Sequence, residues 1–389
     1  MFGWLNSTKQ VPLAETPLRV LLAIPSYRCG GAERVITTLA RRISRERFDV
    51  HLVVVQDEGP LSDSLPSDVT RHALRCQRVS QAGIPLLRLV RNLQPDVVLT
   101  AASHLNALAG MLRPLFPKRT RLIIRETGVL ATSLAAWNAG RWLPPLLGAA
   151  YRQADCVIGQ SEFALNEIHQ LFSVPRTRLK RIANPVEVDQ LARDTTIGTP
   201  SPFPSGPGPD LLGVGRLGTE KGFDRAIQAL PALLQTHPHA QLWIIGDGAE
   251  RAALRQLAVE LGVGDRVLMP GFQTDVSRWM SHADLFVLSS RTESLPNVLL
   301  EAVACGCPVI SLEHPGGTRE VLESLGLTDR WVSSLTPWND HWFSRPLPIV
   351  RERLVQQYHW QRIVSEYEQL FADLVRGQSV VVCPESQAA

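Results

Sequence analysis

Leu211–Phe223 reads LLGVGRLGTEKGF, and Gly213, Gly215 and Gly218 within it spell G-x-G-x-x-G behind an apolar run. A dinucleotide-binding turn needs its helix to begin inside such a motif, so that the pyrophosphate sits on the helix N-terminus, with an acidic residue about 20 positions further on. Here GTEKGF intervenes and helical periodicity begins only near Phe223. The stretch about 20 residues beyond Gly218, QTHPHAQ, holds no carboxylate, although Asp247 closes the next apolar run. What the loop does offer is charge. Arg216 and Lys221 stand in a glycine-rich turn at the carboxyl end of a strand, where open α/β sheets bind ligands. Arg can hold a phosphate through two parallel N–H bonds and Lys adds a compact positive charge, so the two can neutralise a diphosphate without a metal.

The alternation of apolar runs and helical periodicity extends from this loop in both directions. Downstream, QLWIIGDG, DRVLMPGF, ADLFVLSS and CPVISL read as strands, separated by the helical RAIQALPALLQTH, AERAALRQLAVELG and PNVLLEAVACG. Upstream, RVLLAIPSY leads through a glycine loop into GGAERVITTLARRI, where Val35, Ile36, Leu39 and Ile43 share a helical face. FDVHLVVVQ, PDVVLTAA, RTRLIIRET and ADCVIGQS read as further strands. Alternating strands and helices predict doubly wound parallel sheets. Between the halves, TIGTPSPFPSGPGPD is too rich in Pro and Gly to build a core. The expected division is a Rossmann-like domain over 1–190, a linker over 191–210 and a second Rossmann-like domain over 211–349. A helical tail over 350–376 is long enough to pack back on the first domain.

With 389 residues, 44% hydrophobic and 20% charged, the chain can bury two ordinary cores. No apolar run approaches the roughly 18 residues of a spanning helix, and MFGWLNSTKQVPLAETP lacks the basic start and apolar core of a signal peptide. A cytoplasmic protein is expected. Cys29, Cys76, Cys156, Cys305, Cys307 and Cys383 are scattered without partners at metal-ligand spacing, which argues against both a structural zinc and a disulfide framework. The net charge of +3 conceals an asymmetry. Residues 1–190 hold 24 Lys and Arg against 15 Asp and Glu, a net +9, whereas 191–389 hold 16 against 22, a net −6. The basic groups Arg41, Arg42, Arg45 and Arg47, then Arg71, Arg75 and Arg78, then Arg113, Lys118, Arg119 and Arg121 face either solvent or an anionic partner.

RTESLPNVLLEAVACGCPVIS, from Arg291 to Ser311, is the second informative stretch. Glu293 ends the loop after a strand, Pro296 suits the first turn of a helix, and Glu301 follows with seven residues between the two carboxylates. The backbone N–H groups from Leu295 to Val298 then point at an anion in the cleft. One carboxylate stays at the helix mouth and the other sits about 1.5 turns inside. Such a pair suits a polyhydroxy ligand, from whose hydroxyls carboxylates accept.

Together the pieces GGAERV, VGRLGTEKGFDRAIQAL, WIIGDGAER, DRVLMPGF and ESLPNVLLEAVACGCPVI, in that order and at that spacing, resemble the family 4 retaining glycosyltransferases of the GT-B fold. The resemblance runs from SYRCGGAERV to the tail helix. It implies an α/β protein whose two Rossmann-like doubly wound domains face a central cleft, with a nucleotide-sugar on the C-terminal domain and the acceptor on the N-terminal one. Arg216 and Lys221 would bind the donor diphosphate, Glu293 the transferred sugar and Glu301 the ribose hydroxyls. Backbone amides of Ser294, Leu295 and Asn297, around Pro296, would complete the phosphate cradle. Gly30 and Gly31 would let the first loop approach the donor beside Gly215, and Gly246, Gly248, Gly271 and Phe272 would border the nucleobase. The implied chemistry is transfer with retention, by front-face attack, of a hexose or N-acetylhexosamine. UDP-sugars are favoured and GDP-mannose comes second, with no metal and no cofactor beyond the nucleotide-sugar.

The family commonly places a His-containing loop after the fourth N-domain strand, where this chain reads RLIIRETG. Arg125 and Glu126 there resemble a Ser-Glu-Arg-type variant and are candidate contacts to sugar or acceptor, as is His104 in TAASHLNAL. Leu112, Leu115 and Phe116 among Arg113, Lys118 and Arg119, with RWLPPLLGAAY at 141–151, mix apolar and cationic residues as an interfacial segment does. The expected acceptor is a glycan or a polyprenyl-diphosphate-linked oligosaccharide for surface polysaccharide, reached by peripheral contact with the anionic inner face of the membrane; nucleic acid is not an expected partner. The competing readings are a GT-B nucleotide-sugar epimerase, which should lack the E-x7-E pair with the RLGTEK loop, and a phosphorylase, which needs a much longer chain and a pyridoxal phosphate lysine. A non-catalytic nucleotide-sugar-binding protein would be expected to lose Arg216, Lys221 or Glu293, and all are present.

Overall fold

A computed structural model describes residues 16–28, 30–136, 143–194 and 200–378. Most of MFGWLNSTKQVPLAETP, Cys29, Arg141, Trp142, residues 195–199 of the linker and Cys383 lie outside the described residues.

The first domain runs β1 (Leu18–Ile24), α1 (Gly31–Arg42), β2 (Phe48–Val54), β3 (Thr70–Ala73), α2 (Gly83–Leu93), β4 (Val97–Ala101) and α3 (Ser103–Leu112). It continues through β5 (Arg121–Arg125), α4 (Leu130–Ala136), α5 (Leu143–Arg152), β6 (Cys156–Gly159), α6 (Glu162–Phe172) and β7 (Leu179–Arg181). After α7 (Val188–Asp194), the second domain runs β8 (Asp210–Val214), α8 (Phe223–Thr236), β9 (Gln241–Ile245), α9 (Arg251–Glu260), β10 (Val267–Gly271) and α10 (Val276–His282). It closes with β11 (Leu285–Leu288), α11 (Asn297–Ala304), β12 (Val309–Leu312), α12 (Thr318–Leu325) and β13 (Trp331–Val332), and the tail forms α13 (Pro348–Tyr358) and α14 (Trp360–Val375).

All pairings are parallel, in a sheet ordered β3-β2-β1-β4-β5-β6-β7 and another ordered β10-β9-β8-β11-β12-β13. The central strands are apolar almost throughout because helices cover both faces. Three edge strands, β3, β7 and β13, are not visible in the apolar pattern. They are only TRHA, LKR and WV, and an edge strand faces solvent with charged residues. Strand order reverses between β1 and β4 and again between β8 and β11, and the loops leaving β8 and β11 flank the second of these switch points, where such sheets take ligands.

The linker is less plain than its composition. Its first residues continue α7, and Phe203 packs edge-on against Trp243 and Trp279, with centroids 5.6 and 5.1 Å apart. The tail is two helices broken at His359, whose extended backbone bridges to Val186. α13 packs on α11 and α12 of the second domain, and α14 crosses to the first, where Phe371 meets Phe48 edge-on at 6.0 Å and Glu368 binds Arg47 at 2.8 Å. One apolar cluster therefore runs from Val50 and Leu52 through Tyr367 and Leu354 to Leu299 and Val303, across both domains. The first basic group is spent within the fold rather than on a partner: Arg41 and Arg42 share Glu187 at 2.6 and 2.7 Å, and Arg45 pairs with Asp68 at 3.1 Å.

Candidate active site

A cavity of about 700 Å³ separates the domains, within the range of small-molecule sites. Gly215, Arg216, Gly246, Phe272, Asn297 and Glu301 line it from the second domain, and Arg34, Thr37 and Arg41 of α1 line it from the first.

The loop after β8 is held open by glycine. A Cβ on Gly246, at φ 136°, would stand 1.9 Å from the Gly215 carbonyl oxygen, so only glycine lets the loops after β8 and β9 lie together. A Cβ on Gly215 would touch the Lys221 stem at 3.4 Å, which places the lysine directly behind the cavity wall. Lys221 Nζ donates to Glu293 Oε1 at 2.6 Å, and Ser290 Oγ donates to the same oxygen at 2.8 Å. Both partners are largely shielded, with side chains 22% and 13% exposed. Arg216 is different. Its side chain is 77% exposed and, among the described residues, bonded only to Glu220, four residues on, and such surface pairs are weak enough to yield to an arriving anion.

α11 starts at Asn297, with Pro296 just before it rather than in its first turn. The amides of Asn297 and Val298 at its mouth have no acceptor within the helix, and its dipole adds to their pull on an anion. Glu301 lies in the second turn, 16% exposed, and pairs across the cleft with Arg34 at 3.2 Å. Burial pushes its carboxyl above the ordinary range, and Arg34 opposes that shift.

The remaining sequence candidates separate. Gly31 lies where a Cβ would be 3.5 Å from Asn297 Nδ2, so the first loop does meet the mouth of α11, with Gly30 as the N-cap of α1. Ser294 and Leu295 are buried beneath that mouth. Gly248 packs against the Leu217 backbone instead of lining the cavity, Gly271 has open space about its Cα, and Phe272 stands 65% exposed on the rim. His104 is exposed in the first turn of α3.

Arg125 and Glu126 correct the expectation of a ligand contact, being 0% and 1% exposed. Glu126 accepts from Ser103 Oγ at 2.8 Å, from the Thr127 and Gly128 amides at 2.9 and 3.0 Å, and from the Tyr151 hydroxyl, so its oxygens are spoken for inside the domain. Arg125 Nε donates to the Tyr367 hydroxyl at 2.9 Å, because α14 closes over the end of β5.

Two family models match the chain: "Glycosyltransferase Family 4" over residues 29–190 and "Glycosyl transferases group 1" over 201–332. The chain is a glycosyltransferase of the GT-B fold and the family 4 type.

A relative of this glycosyltransferase in Campylobacter jejuni is the N-acetylgalactosamine-N,N'-diacetylbacillosaminyl-diphospho-undecaprenol 4-alpha-N-acetylgalactosaminyltransferase. It is 29% identical over 77% of this chain and 81% of the relative. The lipopolysaccharide core biosynthesis glycosyltransferase LpsE of Rhizobium meliloti is also 29% identical, over 88% of this chain and 96% of its own. Among solved structures, Anabaena Alr3699/HepE in complex with UDP and glucose superposes with a TM-score of 0.72 at 20% identity, covering 92% of this chain and all of that one, a likeness of fold.

In this glycosyltransferase two residues, Arg34 in the cleft and Asn184 buried behind it, are not assigned by the sequence pattern. Arg34 sits inside the quoted GGAERV, one helical residue from apolar Val35, and could have been picked out as a cation that α1 turns towards the cleft. Asn184, in RIANPVEV, carries no sequence signal beyond lying near the domain boundary.

Proposed function

We propose that this glycosyltransferase moves a hexose or N-acetylhexosamine, with retention, from a UDP-sugar, or from GDP-mannose as the second choice, to a glycan or lipid-linked oligosaccharide in surface polysaccharide biosynthesis. The observation that carries the reading is the convergence on one cavity of Arg216 and the open N-terminus of α11, with Lys221 and its partner Glu293 packed behind the Gly215 wall rather than lining it. Breaking the bond between sugar C1 and the phosphate oxygen leaves negative charge on the nucleoside diphosphate; Arg216 and the amides of α11 meet it in the cavity and Lys221 adds its charge from behind the wall, which makes a metal unnecessary to the step. Glu301, with its carboxylate inside the cavity, suits the ribose hydroxyls.

Glu293 is tied to Lys221 and Ser290, which supports a carboxylate that orients sugar hydroxyls rather than one free to attack C1. Without a double displacement through Glu293, the acceptor hydroxyl attacks from the face the diphosphate leaves, and its proton passes to the departing phosphate oxygen. Slow hydrolysis of an α-linked UDP-sugar without acceptor, in the presence of a chelator and followed by proton NMR before mutarotation, should release the α-anomer first. Release of the β-anomer would contradict retention, and a rate abolished by the chelator would contradict metal independence.

For the acceptor, the first domain presents a mixed surface. Met111, Leu115, Leu146 and Leu171 are 43–50% exposed, and a second cavity of about 380 Å³ beside them is lined by Arg113, Lys118, Arg152 and Arg178. Leu112 and Phe116 turn inward, so Leu115 alone of that apolar trio faces out. Cations around half-exposed leucines suit an anionic bilayer surface and hence a lipid-linked acceptor. No helix among the described residues is long and apolar enough to cross a membrane. In cell fractionation at low salt, part of the protein should sediment with membranes and be released by high salt. Recovery wholly in the supernatant at low salt would contradict the contact.

A further inference from the structure

Arg125 is a fully buried cation that no carboxylate pairs with among the described residues, and one of its terminal nitrogens has no hydrogen-bond partner. Burying a charge in this state is costly, so its surroundings should show what it does. Its other terminal nitrogen donates to Asn184 Oδ1, and Asn184, itself 3% exposed, donates through Nδ2 to Asn297 Oδ1 at the mouth of α11 and to Gln160 Oε1 at 3.4 Å.

The direction of this chain is dictated by its first member. A guanidinium has donors only and does not lose its proton, so the oxygen of Asn184 must face Arg125 and its nitrogen must face Asn297. Gln160 holds Asn184 the same way round, because its own nitrogen is occupied by the Glu126 carbonyl at 3.3 Å. The oxygen of Asn297 is therefore turned back toward Asn184, and its Nδ2 is turned out, beside the Gly31 backbone. That nitrogen makes no hydrogen bond to the protein among the described residues, and Asn297 lines the donor cavity.

We infer that Arg125 and Asn184 are positioning residues that lock the Asn297 amide with its nitrogen toward the cleft, adding a side-chain donor for the diphosphate to the free amides of α11. The inference rests on the nucleoside-diphosphate reading of the cavity. It makes the phosphate site a joint product of three segments. Arg125 and Asn184 come from the first domain and Asn297 from the second, and Arg125 is held in turn by Tyr367 of the tail. The site is complete only when the domains are together. A reversed Asn297 amide would present an oxygen to an anion, so the orientation carries the effect as much as the contact does.

Asn184→Asp tests the relay with little change in shape. An aspartate still accepts from Arg125, and gains an ion pair with it, but cannot donate to Asn297, whose amide then reverses to donate to the aspartate. Calorimetric titration of the full chain with UDP and GDP should show the nucleoside diphosphate that binds wild type weakened by about ten- to hundredfold in Asn184→Asp, the loss of one hydrogen bond to a charged group. The matching nucleoside without phosphates should bind the two proteins within about twofold, and thermal unfolding should show the variant folded. Unchanged diphosphate affinity would overturn the relay, as would an equal loss for the nucleoside, which would mean that the cavity itself had changed. A wild-type chain that binds neither diphosphate would overturn the reading beneath it instead.

Discussion

Lys221→Ala is expected to lower kcat by about a hundred- to a thousandfold with a smaller change in KM. On the donor-diphosphate reading its positive charge acts on charge that grows only as the sugar–phosphate bond breaks, and removing a single donor of that kind costs about 2.7–4 kcal/mol of barrier. The structure adds a second consequence. Glu293 is 13% exposed and would keep only Ser290 as a partner, so the variant also leaves a shielded carboxylate short of its cation and should unfold at a lower temperature. Arginine at 221 keeps the charge without the compact ammonium, and should recover stability better than turnover. Steady-state kinetics at saturating donor, with a melting curve beside them, separates the two effects. A turnover within tenfold of wild type would remove Lys221 from the chemistry.

Gly246→Ala should be among the most damaging single-methyl changes in the second domain. At φ 136° an L-residue is strained whatever surrounds it, and here the added carbon would also sit 1.9 Å from the Gly215 carbonyl oxygen. Backbone cannot swing aside as a flexible side chain can. The loop that carries Arg216 has to move into the cavity, and nucleotide affinity should fall along with stability. We expect a loss of about 3 kcal/mol or more, made of conformational strain plus displaced packing. Gly262→Ala provides the comparison. It too has a positive φ, of 69°, but nothing lies within 4 Å of the added methyl, so the cost should stay near the roughly 1 kcal/mol of strain alone. Equal destabilisation of the two variants in denaturant melts would mean that the contact between the loops after β8 and β9 is not what this glycine protects.

Much of this arrangement is legible in the residues, and what is not has identifiable physical causes. The start of α8 at Phe223, which separates this loop from a dinucleotide fingerprint, follows from local periodicity. So does the placement of Glu293 and Glu301 around the mouth of α11, because strand, loop and helix are set by residues near one another. Distances across the fold are another matter. Nothing between positions 221 and 293 announces that the lysine would rest on the carboxylate at 2.6 Å, since that contact depends on two loops leaving neighbouring strands, β8 and β11. Arg125 is the sharper case. A charged residue at the carboxyl end of a parallel strand is expected to face a ligand. The structure instead buries it under Tyr367, 242 residues further along, where the tail returns to the first domain. Its link to the cleft survives only through Asn184 and Asn297. The edge strands are illegible for the opposite reason, because a sheet's rim needs little apolar sequence.

The most direct test of the central claim is calorimetric titration of the purified chain with UDP, GDP and NAD in separate runs without added metal. A donor-diphosphate site predicts that one nucleoside diphosphate, UDP before GDP, binds at a single site and that NAD does not. Binding of NAD with neither diphosphate would contradict that site, and with it the use assigned here to Arg216, Lys221 and the mouth of α11.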